Sequence, residues 1–476
     1  VKRTIGPSWP TVVLKSDPTS PDLTRLFTRQ RTPLLNGAFI MGILKVGSTN
    51  PNLSWILQKN PATIAESKKP FTKAIRKGMA YGWFNENASE FTLWFRDSDL
   101  ESSFADGIRG EFEYLDTTRY GSPYLPISLI TNCLSTAAKK IDDHDVEGFH
   151  AYVTTAIKVP NLRFQQALTR HYTGVADIST QSLHGKFYEV TVQAPKVYTA
   201  LNVMQIICLM QCLCDDDTYV PMREADIEKY INCLNAANAP YYVRYLFGSR
   251  TISNRRTFEK LRSKLQGPHM IMNFGDTRQQ RFDAISELLK GGETLIDIGC
   301  GELFYSLRLA GRYDATYAVD LDHDLQEANR GKVEKRKIEN LIPIEAVVTS
   351  EWVQENEELF DGADVLLTEV VEHMPLDEAG KLLDAILATN CRQVIVTTPN
   401  KDFNKFYGFE EDQMRHYDHK WEMGFDDYCN WIQSIPKSPD KTPLTFGVGD
   451  FVEGCHTTSL TVFARDHEAT SLKEAA

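Results

Sequence analysis

Thr368-Glu369-Val370-Val371-Glu372-His373-Met374 places two carboxylates and an imidazole within five residues. The stretch follows Ala363-Asp364-Val365-Leu366-Leu367, an apolar run that reads as a buried strand. If the chain turns helical at Glu369, then Glu369, Glu372 and His373 stand at i, i+3 and i+4 on one face. At the C-terminal end of a strand in an α/β domain, that group is a metal-site candidate. The alternative is a solvated first helical turn, where acidic residues favour the helix dipole. A second polar cluster, Met414–Glu422, holds His416, Asp418 and His419. Its imidazoles could reach back to Glu369, Glu372 and His373 across the C-terminal edge of the sheet. Two carboxylates and two imidazoles would fill four positions of an octahedron and leave two for the oxygens of a vicinal diol. Oxygen-rich ligation with some imidazole suits magnesium or manganese better than structural zinc.

A different chemistry is signalled by Asp297-Ile298-Gly299-Cys300-Gly301, which follows the strand-like run Glu293–Asp297 and opens a helix expected around Leu303–Ala310. Glycines there let the backbone approach a ligand closely, and a helix start offers free N–H groups. Leu303 and Phe304 break the dinucleotide pattern. Asp320 ends the next strand, Ala315–Leu321, where a carboxylate can accept both hydroxyls of a ribose. D-x-G-C-G, an acidic second strand end and a closing hairpin together resemble the S-adenosylmethionine-dependent methyltransferases.

The elements that must position these groups alternate regularly from residue 277. Helices at Thr277–Leu289, Leu325–Arg336 and Leu376–Thr389 alternate with strands at 293–297, 315–321, 342–348, 363–368 and 393–398. A helix at Phe425–Ser434 and strands at Leu444–Val448 and Thr458–Ala464 follow. The expected fold class is α/β: a mostly parallel, doubly wound sheet with an antiparallel edge. Gly267-Pro268 breaks the chain just upstream, which sets a boundary near 265. Before it, residues 46–264 read as an α+β domain. Strands are expected at Phe91–Phe95 and Gly185–Val192. Helices are expected after Pro126 within 123–140, over an amphipathic Lys196–Cys214, and at Ala225–Ala237. Asp215-Asp216-Asp217 reads as a helix-ending polar loop. Residues 243–264 are basic, with Arg244, Arg250, Arg255, Arg256, Lys260, Arg262 and Lys264; they read either as a solvated helical linker or as an RNA phosphate contact. Residues 1–45, with five prolines, form an expected extension, and 265–476 the methyltransferase domain.

A chain of 476 residues is too long for one ordinary core. Its net charge of −12 provides no global basic field, so any nucleic-acid contact must be local. Nine scattered cysteines without a CxxC pair point to reduced thiols and a cytoplasmic setting. The longest apolar run, Leu201–Cys214, is expected to be too short to span a bilayer, and no signal peptide or membrane association is expected.

The motifs Glu369-x-x-Glu372-His373, Thr397-Thr398-Pro399-Asn400-x-x-Phe403-Asn404 and Arg415-x-x-Asp418-His419-x-x-Glu422 are together similar to those of the small-RNA 3′-terminal ribose 2′-O-methyltransferases of plants and bacteria. The match covers roughly residues 277–465. It implies that Glu369, Glu372, His373 and His419 hold a magnesium or manganese ion and act in catalysis, with His416 the less favoured alternative to His419. It implies that Asp297, Gly299, Gly301 and Asp320 bind S-adenosylmethionine. Gln280-Arg281 resembles a Q-R pair of the family, which makes Arg281, with Arg415, a candidate contact for the RNA end. Trp421 and Met423 depart from the family's usual F-E-W run, which bears on local packing.

Asn50–Pro61, the Tyr124–Ser128 region and the Cys214–Tyr219 turn resemble the amino-terminal domain of the bacterial members. That domain binds an RNA kinase–phosphatase–ligase repair enzyme and stimulates its ligase activity. The resemblance therefore implies methyl transfer to the 2′-hydroxyl of an RNA 3′ end, cleaved tRNA by the family's precedent, during RNA repair. Two other readings fit parts of the chain. A metal-dependent O-methyltransferase of a small diol leaves the large N-terminal region without a use. A non-catalytic scaffold would not need intact D-x-G-C-G and E-x-x-E-H motifs.

Overall fold

In a computed structural model of the chain, the described residues are 42–61, 70–75, 78–97, 120–214, 224–436 and 441–465. Residues 1–41 of the expected extension and Asp215–Asp217 lie outside them, as does most of the Cys214–Tyr219 turn. Residues 42–476 cluster as one compact unit containing two sheets.

The first sheet comprises β1 (Ile43–Ser48), β2 (Phe71–Ile75), β3 (Gly78–Phe84), β4 (Glu90–Asp97), β5 (Ala151–Lys158), β6 (Asp177–His184) and β7 (Phe187–Ala194), in the order β2-β3-β4-β1-β5-β7-β6. Every neighbouring pair is antiparallel. β5 buries Ala151, Val153, Thr155 and Ile157 and leaves the intervening residues half exposed, the period-2 signature of a sheet covered on one face. The cover is the helix Val197–Cys214, part of one core with Leu44, Val46, Val153, Val190 and Val192. This helix is buried nearly all round rather than amphipathic. Its length and composition would suffice to cross a bilayer, contrary to the sequence expectation, but it forms the centre of a packed core. The helix expected after Pro126 starts before it, at Tyr124, because proline is tolerated in a first turn that lacks intrahelical N–H partners.

The basic stretch is helical and mixed: Arg244 is buried, whereas Arg255, Arg256, Lys260 and Lys264 are exposed. It folds into helices Tyr241–Thr251 and Arg255–Leu265. Arg244 is 1% exposed and donates to the carbonyls of Ala239, Leu265 and Leu234 and to Asn235 Oδ1. Arg255 pairs with Asp283 on the next helix.

The second sheet contains β8 (Met270–Ile271), β9 (Gly292–Ile298), β10 (Tyr313–Asp320), β11 (Leu341–Glu345), β12 (Asp364–Thr368), β13 (Gln393–Pro399), β14 (Lys441–Val452) and β15 (Cys455–Arg465), ordered β11-β10-β9-β12-β13-β15-β14-β8. The five strands from β11 to β13 are parallel, and β15, β14 and β8 continue antiparallel. This is the mixed α/β architecture expected from the alternation, with one extra edge strand, β8, that its two residues could not announce. Val365 and Leu367 pack with the helices Leu376–Ala388 and Phe425–Ser434, while Leu366 joins the opposite core with Ile285 and Leu309. Asp364, the polar residue of that apolar run, is buried and held by Arg392 and the Tyr313 hydroxyl. β10 and β12 flank β9 on opposite sides, so chain order reverses at β9, and the crevice beyond its C-terminal end is where a doubly wound sheet accepts ligands.

Candidate active site

At the end of β9 the chain makes a tight left-handed turn. Gly299 has φ +69°, and a Cβ there would come within 2.5 Å of Val370 Cγ2, so glycine is required by conformation and by space. Gly301 has φ +50°, and a Cβ there would meet no heavy atom within 4 Å. Leu303 is also left-handed, which delays the expected helix: only Ser306–Leu309 is α-helical, followed by a 3-10 turn at Ala310–Arg312. The free N–H array expected there is therefore reduced, and Gly301 N donates to Asp320 Oδ2 over 2.9 Å. Asp320, half buried at the end of β10, also receives Asp322 N on its other oxygen. Asp297 is fully buried; one oxygen accepts from the Ser306 hydroxyl, and the other has no hydrogen-bond partner. Burial, opposed in part by the Ser306 bond, pushes its carboxyl up to about 6.

Beyond β12 the expected helix at Glu369 does not form. Glu369 takes φ +58° and is followed by a 3-10 turn at Val371–His373. The capture is tertiary. Glu369 N donates to Thr397 O at 3.0 Å, its Oε1 accepts from Thr397 Oγ1, and Arg281 Nη1 lies 3.0 Å from its Oε2. A left-handed non-glycine residue costs about 1–2 kcal/mol and persists only where its surroundings impose it. Glu369 is consequently turned toward Arg281. Glu372, His373 and His419 do converge: one potential ligand atom from each lies within 4.8 Å of the others.

Glu372 is fully buried, and neither carboxylate oxygen makes a hydrogen bond of ordinary geometry. Burial first, and the neighbouring charge of Glu369 second, push this carboxyl well above the usual range. A buried carboxylate is costly unless paired with a cation. The two imidazoles beside it are oriented by carboxylates of their own. His419 Nδ1 lies 2.6 Å from Glu422 Oε1, and His373 Nδ1 lies 3.1 Å from Asp418 Oδ2. In each ring Nδ1 is thus engaged and Nε2 keeps a lone pair to offer, the arrangement of carboxylate-supported metal ligands. Burial holds His373 below the usual imidazole range, which favours its neutral form. The two rings meet edge to face with centroids 4.8 Å apart. His416 is more exposed, hydrogen-bonded to Asp418, and outside the three-residue cluster.

The remaining sequence-derived residues are tied into the scaffold. Arg415 donates to Asn404 Oδ1 at 2.7 Å and to Asn400 O at 2.6 Å, with its guanidinium over the Tyr407 ring. Arg281 is nearly buried between Glu369 and the Tyr305 hydroxyl. Both arginines, expected at the RNA end, have partners inside the chain: Arg281 in Glu369 and Tyr305, Arg415 in Asn404 and Asn400. Trp421, at the departure from the usual motif, donates from Nε1 to Met374 O at 3.0 Å, and Lys420 N donates to Glu372 O at 2.8 Å. These two bonds fasten the His419 loop onto the Glu372 turn. Sequence reasoning did not assign Glu422 and Asp418 a role. Their signal was present, since Glu422 stands three residues after His419 and Asp418 immediately before it.

The geometry can now be set beside known proteins. Residues 43–269 match the family model described as the Hen1 N-terminal domain. A small RNA 2′-O-methyltransferase of Drosophila melanogaster is 27% identical over 191 residues, covering 36% of this chain and 49% of the relative. One of Caenorhabditis elegans is 34% identical over 85 residues, covering 17% of this chain and 19% of the relative. The chain thus spans half or less of the curated relatives it matches. A solved chain from "Structure of the Pnkp1/Rnl/Hen1 RNA repair complex" shares the fold with a TM-score of 0.72, at 22% identity, over 89% of this chain and 100% of that one. The resemblance read from the sequence motifs is borne out by the match to the Hen1 N-terminal domain and by relatives named as small RNA 2′-O-methyltransferases.

Proposed function

We propose that this chain is an S-adenosylmethionine-dependent methyltransferase that acts on the 2′-hydroxyl of an RNA 3′ end. One observation carries the reading: Glu372, fully buried with both oxygens lacking ordinary hydrogen bonds, converges with His373 and His419 beside the glycine turn of a doubly wound sheet. The residues fit the groups the reaction needs. At Gly301 the backbone is open to approach by a cofactor, and Asp297 in the same turn keeps an unpartnered oxygen. Asp320 is the ribose partner in this reading. Glu372, His373 and His419 would hold magnesium or manganese, with Glu369 joining them if it leaves Arg281. A divalent cation there supplies orientation and acidification of the terminal hydroxyls.

The protein's own share is positional. Glu422 and Asp418 fix the two imidazoles. The Nε2 atoms of His373 and His419 are the available lone pairs, as ligands or as acceptor of the 2′-hydroxyl proton. Arg281 and Arg415 hold the framework on which the RNA end is presented. The N-terminal region through about residue 264 would be the partner-binding domain and 265–476 the transferase. The shared fold with a chain of the Pnkp1/Rnl/Hen1 complex supports an RNA kinase–phosphatase–ligase as partner, and the motif resemblance of the N-terminal region adds activation of the ligase as the role proposed for that domain. The nine scattered cysteines form no CxxC pair, which supports a cytoplasmic setting.

Labelled methyl transfer from S-adenosylmethionine, with manganese, to two short RNAs tests the proposal. One RNA ends in ribose and the other in 2′-deoxyribose. Transfer to the first alone, abolished by chelation, is the expected result; equal transfer to a small catechol-type diol with none to RNA would overturn it.

A further inference from the structure

The site is braced by a helix of the region that precedes the second sheet. Helix Tyr241–Thr251 presents Tyr241 and Tyr245, which stack with centroids 5.7 Å apart. From this pair one arm runs toward Arg281 and Glu369 and the other toward Glu422 and His419.

The first arm is hydrogen-bonded. Tyr241 Oη donates to Asp450 Oδ2 at 2.8 Å, across 209 residues of sequence, and both groups are buried. Asp450 Oδ1 accepts from Asn273 N at 2.6 Å, and Asp450 N donates to Gln280 Oε1 at 3.0 Å. Gln280 in turn donates from Nε2 to the carbonyls of Asn273 and Gly275. Tyr245 Oη accepts from Thr277 N, the first residue of helix Thr277–Leu288. That helix carries Arg281, which holds Glu369. The second arm is aromatic. Tyr241 meets Phe403 edge-on at 4.9 Å and Tyr407 at 5.6 Å, both on the 3-10 segment Lys401–Tyr407. Arg415 lies over Tyr407 and donates to Asn404 on the same segment. Asn404 donates to Glu422 Oε2 at 2.6 Å, and Glu422 Oε1 orients His419. Where the loop leaves this segment, a Cβ on Gly408 would come within 2.9 Å of Ala167 Cβ, and Arg170 donates to Gly408 O, so the N-terminal region touches the loop at a second point.

We infer that Tyr241, with Tyr245, Asp450 and Tyr407, forms a positioning brace through which the N-terminal region of the chain sets the placement of Glu369 and His419. The inference rests on the metal-site reading given above. It gives this chain's N-terminal region a role within its own transferase site, in addition to any partner it binds. Whatever moves helix Tyr241–Thr251 moves both sides of the site together, because each arm is a continuous run of buried or half-buried contacts.

The test uses the full-length chain and three variants, Tyr241→Phe, Tyr407→Leu and Tyr407→Phe. Manganese affinity is read from the electron paramagnetic resonance of free Mn²⁺, and hydrogen exchange is read over 369–373 and 400–422, both without RNA. Loss of one buried hydrogen bond in Tyr241→Phe is expected to weaken Mn²⁺ binding about three- to tenfold. Tyr407→Leu is expected to weaken it more than about tenfold and to speed exchange in 400–422, while Tyr407→Phe keeps the ring and restores both. Tyr241→Phe, which loses only one oxygen, remains the informative variant if Tyr407→Leu does not fold. Unchanged affinity and exchange in folded variants would overturn the brace. If the wild-type chain binds Mn²⁺ but transfers no methyl to RNA, the proposed function fails while the brace stands. If it binds no Mn²⁺, exchange over the same segments still decides: altered in Tyr241→Phe it upholds the brace, unaltered it overturns it.

Discussion

His419 Nδ1 lies 2.6 Å from Oε1 of Glu422, a carboxylate whose side chain is fully buried and whose other oxygen is taken by Asn404. Such a partner fixes the ring orientation and the tautomer of a ligand and raises its basicity. Glu422→Gln should therefore weaken manganese binding by about 10- to 100-fold with little change in S-adenosylmethionine affinity. Calorimetric titration with each ligand separates the two effects. Equal loss of both affinities would mean that Glu422 supports the fold in general rather than His419.

The left-handed Glu369 shows where sequence reading reached its limit. The spacing of Glu369, Glu372 and His373 was legible, and so was their place at the end of a parallel strand. The turn was not, because it is set by Thr397 and Arg281, residues 28 and 88 positions away. The same holds for Arg244, whose basic neighbourhood read as surface while three buried carbonyls and the Asn235 side chain surround it. The Tyr241–Asp450 contact lies between residues whose types announce nothing. By contrast, the alternating sheet and the glycine turn were legible, since they rest on local periodicity and backbone conformation.

Glu369 carries its own prediction. Held by Arg281, it lies outside the Glu372–His373–His419 cluster. If it completes the site, Glu369→Ala should abolish methyl transfer, as should Glu372→Ala, while S-adenosylmethionine still binds. Transfer near the wild-type rate in Glu369→Ala would instead assign Glu369 to the Arg281 pair alone.

The two glycines of the turn should respond differently. Gly299→Ala adds a contact at 2.5 Å to Val370 on top of a positive φ, whereas Gly301→Ala adds a methyl to open space at φ +50°. Left-handed strain costs each about 1–2 kcal/mol, and the clash adds about 1–3 kcal/mol at Gly299 alone. Thermal unfolding should rank Gly299→Ala clearly below Gly301→Ala. Cofactor affinity should fall in both, since the methyl of Gly301→Ala occupies the space the cofactor would use. Full cofactor affinity in Gly301→Ala would remove that turn from the binding site.

Asp450 makes stability depend on pH. Burial, opposed by bonds from Asn273, Tyr241 and Gln280 and by the charge of Arg262, pushes its carboxyl from 3.8 up to about 7. Below the ordinary value both folded and unfolded chains bind the proton. Between about 4 and about 7 the folded chain binds one more, so stability falls as pH rises through that window. The full effect is on the order of a few kcal/mol. Asp297, pushed to about 6 by burial, acts in the same direction. The melting temperature should therefore decline from about pH 4 to about pH 7, and Asp450→Asn should flatten part of that decline. An unchanged slope in the variant would show that Asp450 is ionised in the folded chain throughout this range.

His416 and His419 stand three residues apart in one loop, and only one belongs to the cluster. His419 is buried against Glu422, while His416 is exposed and reaches Asp418, the carboxylate that also orients His373. His419→Ala removes a ligand atom and leaves Glu372 without a partner, so methyl transfer should be lost and manganese binding weakened by at least about 100-fold. His416→Ala releases Asp418 to serve His373 alone. Its manganese affinity should stay within about threefold of wild type, less than the loss assigned to a supporting carboxylate. Both variants should retain S-adenosylmethionine binding, which is measured in the same titrations and rules out collapse of the domain. Loss of manganese in His416→Ala with retention in His419→Ala would exchange the two assignments. Since the loop is tied to the Glu372 turn through Lys420 and Trp421, that result would require those two bonds to break before the ion is bound.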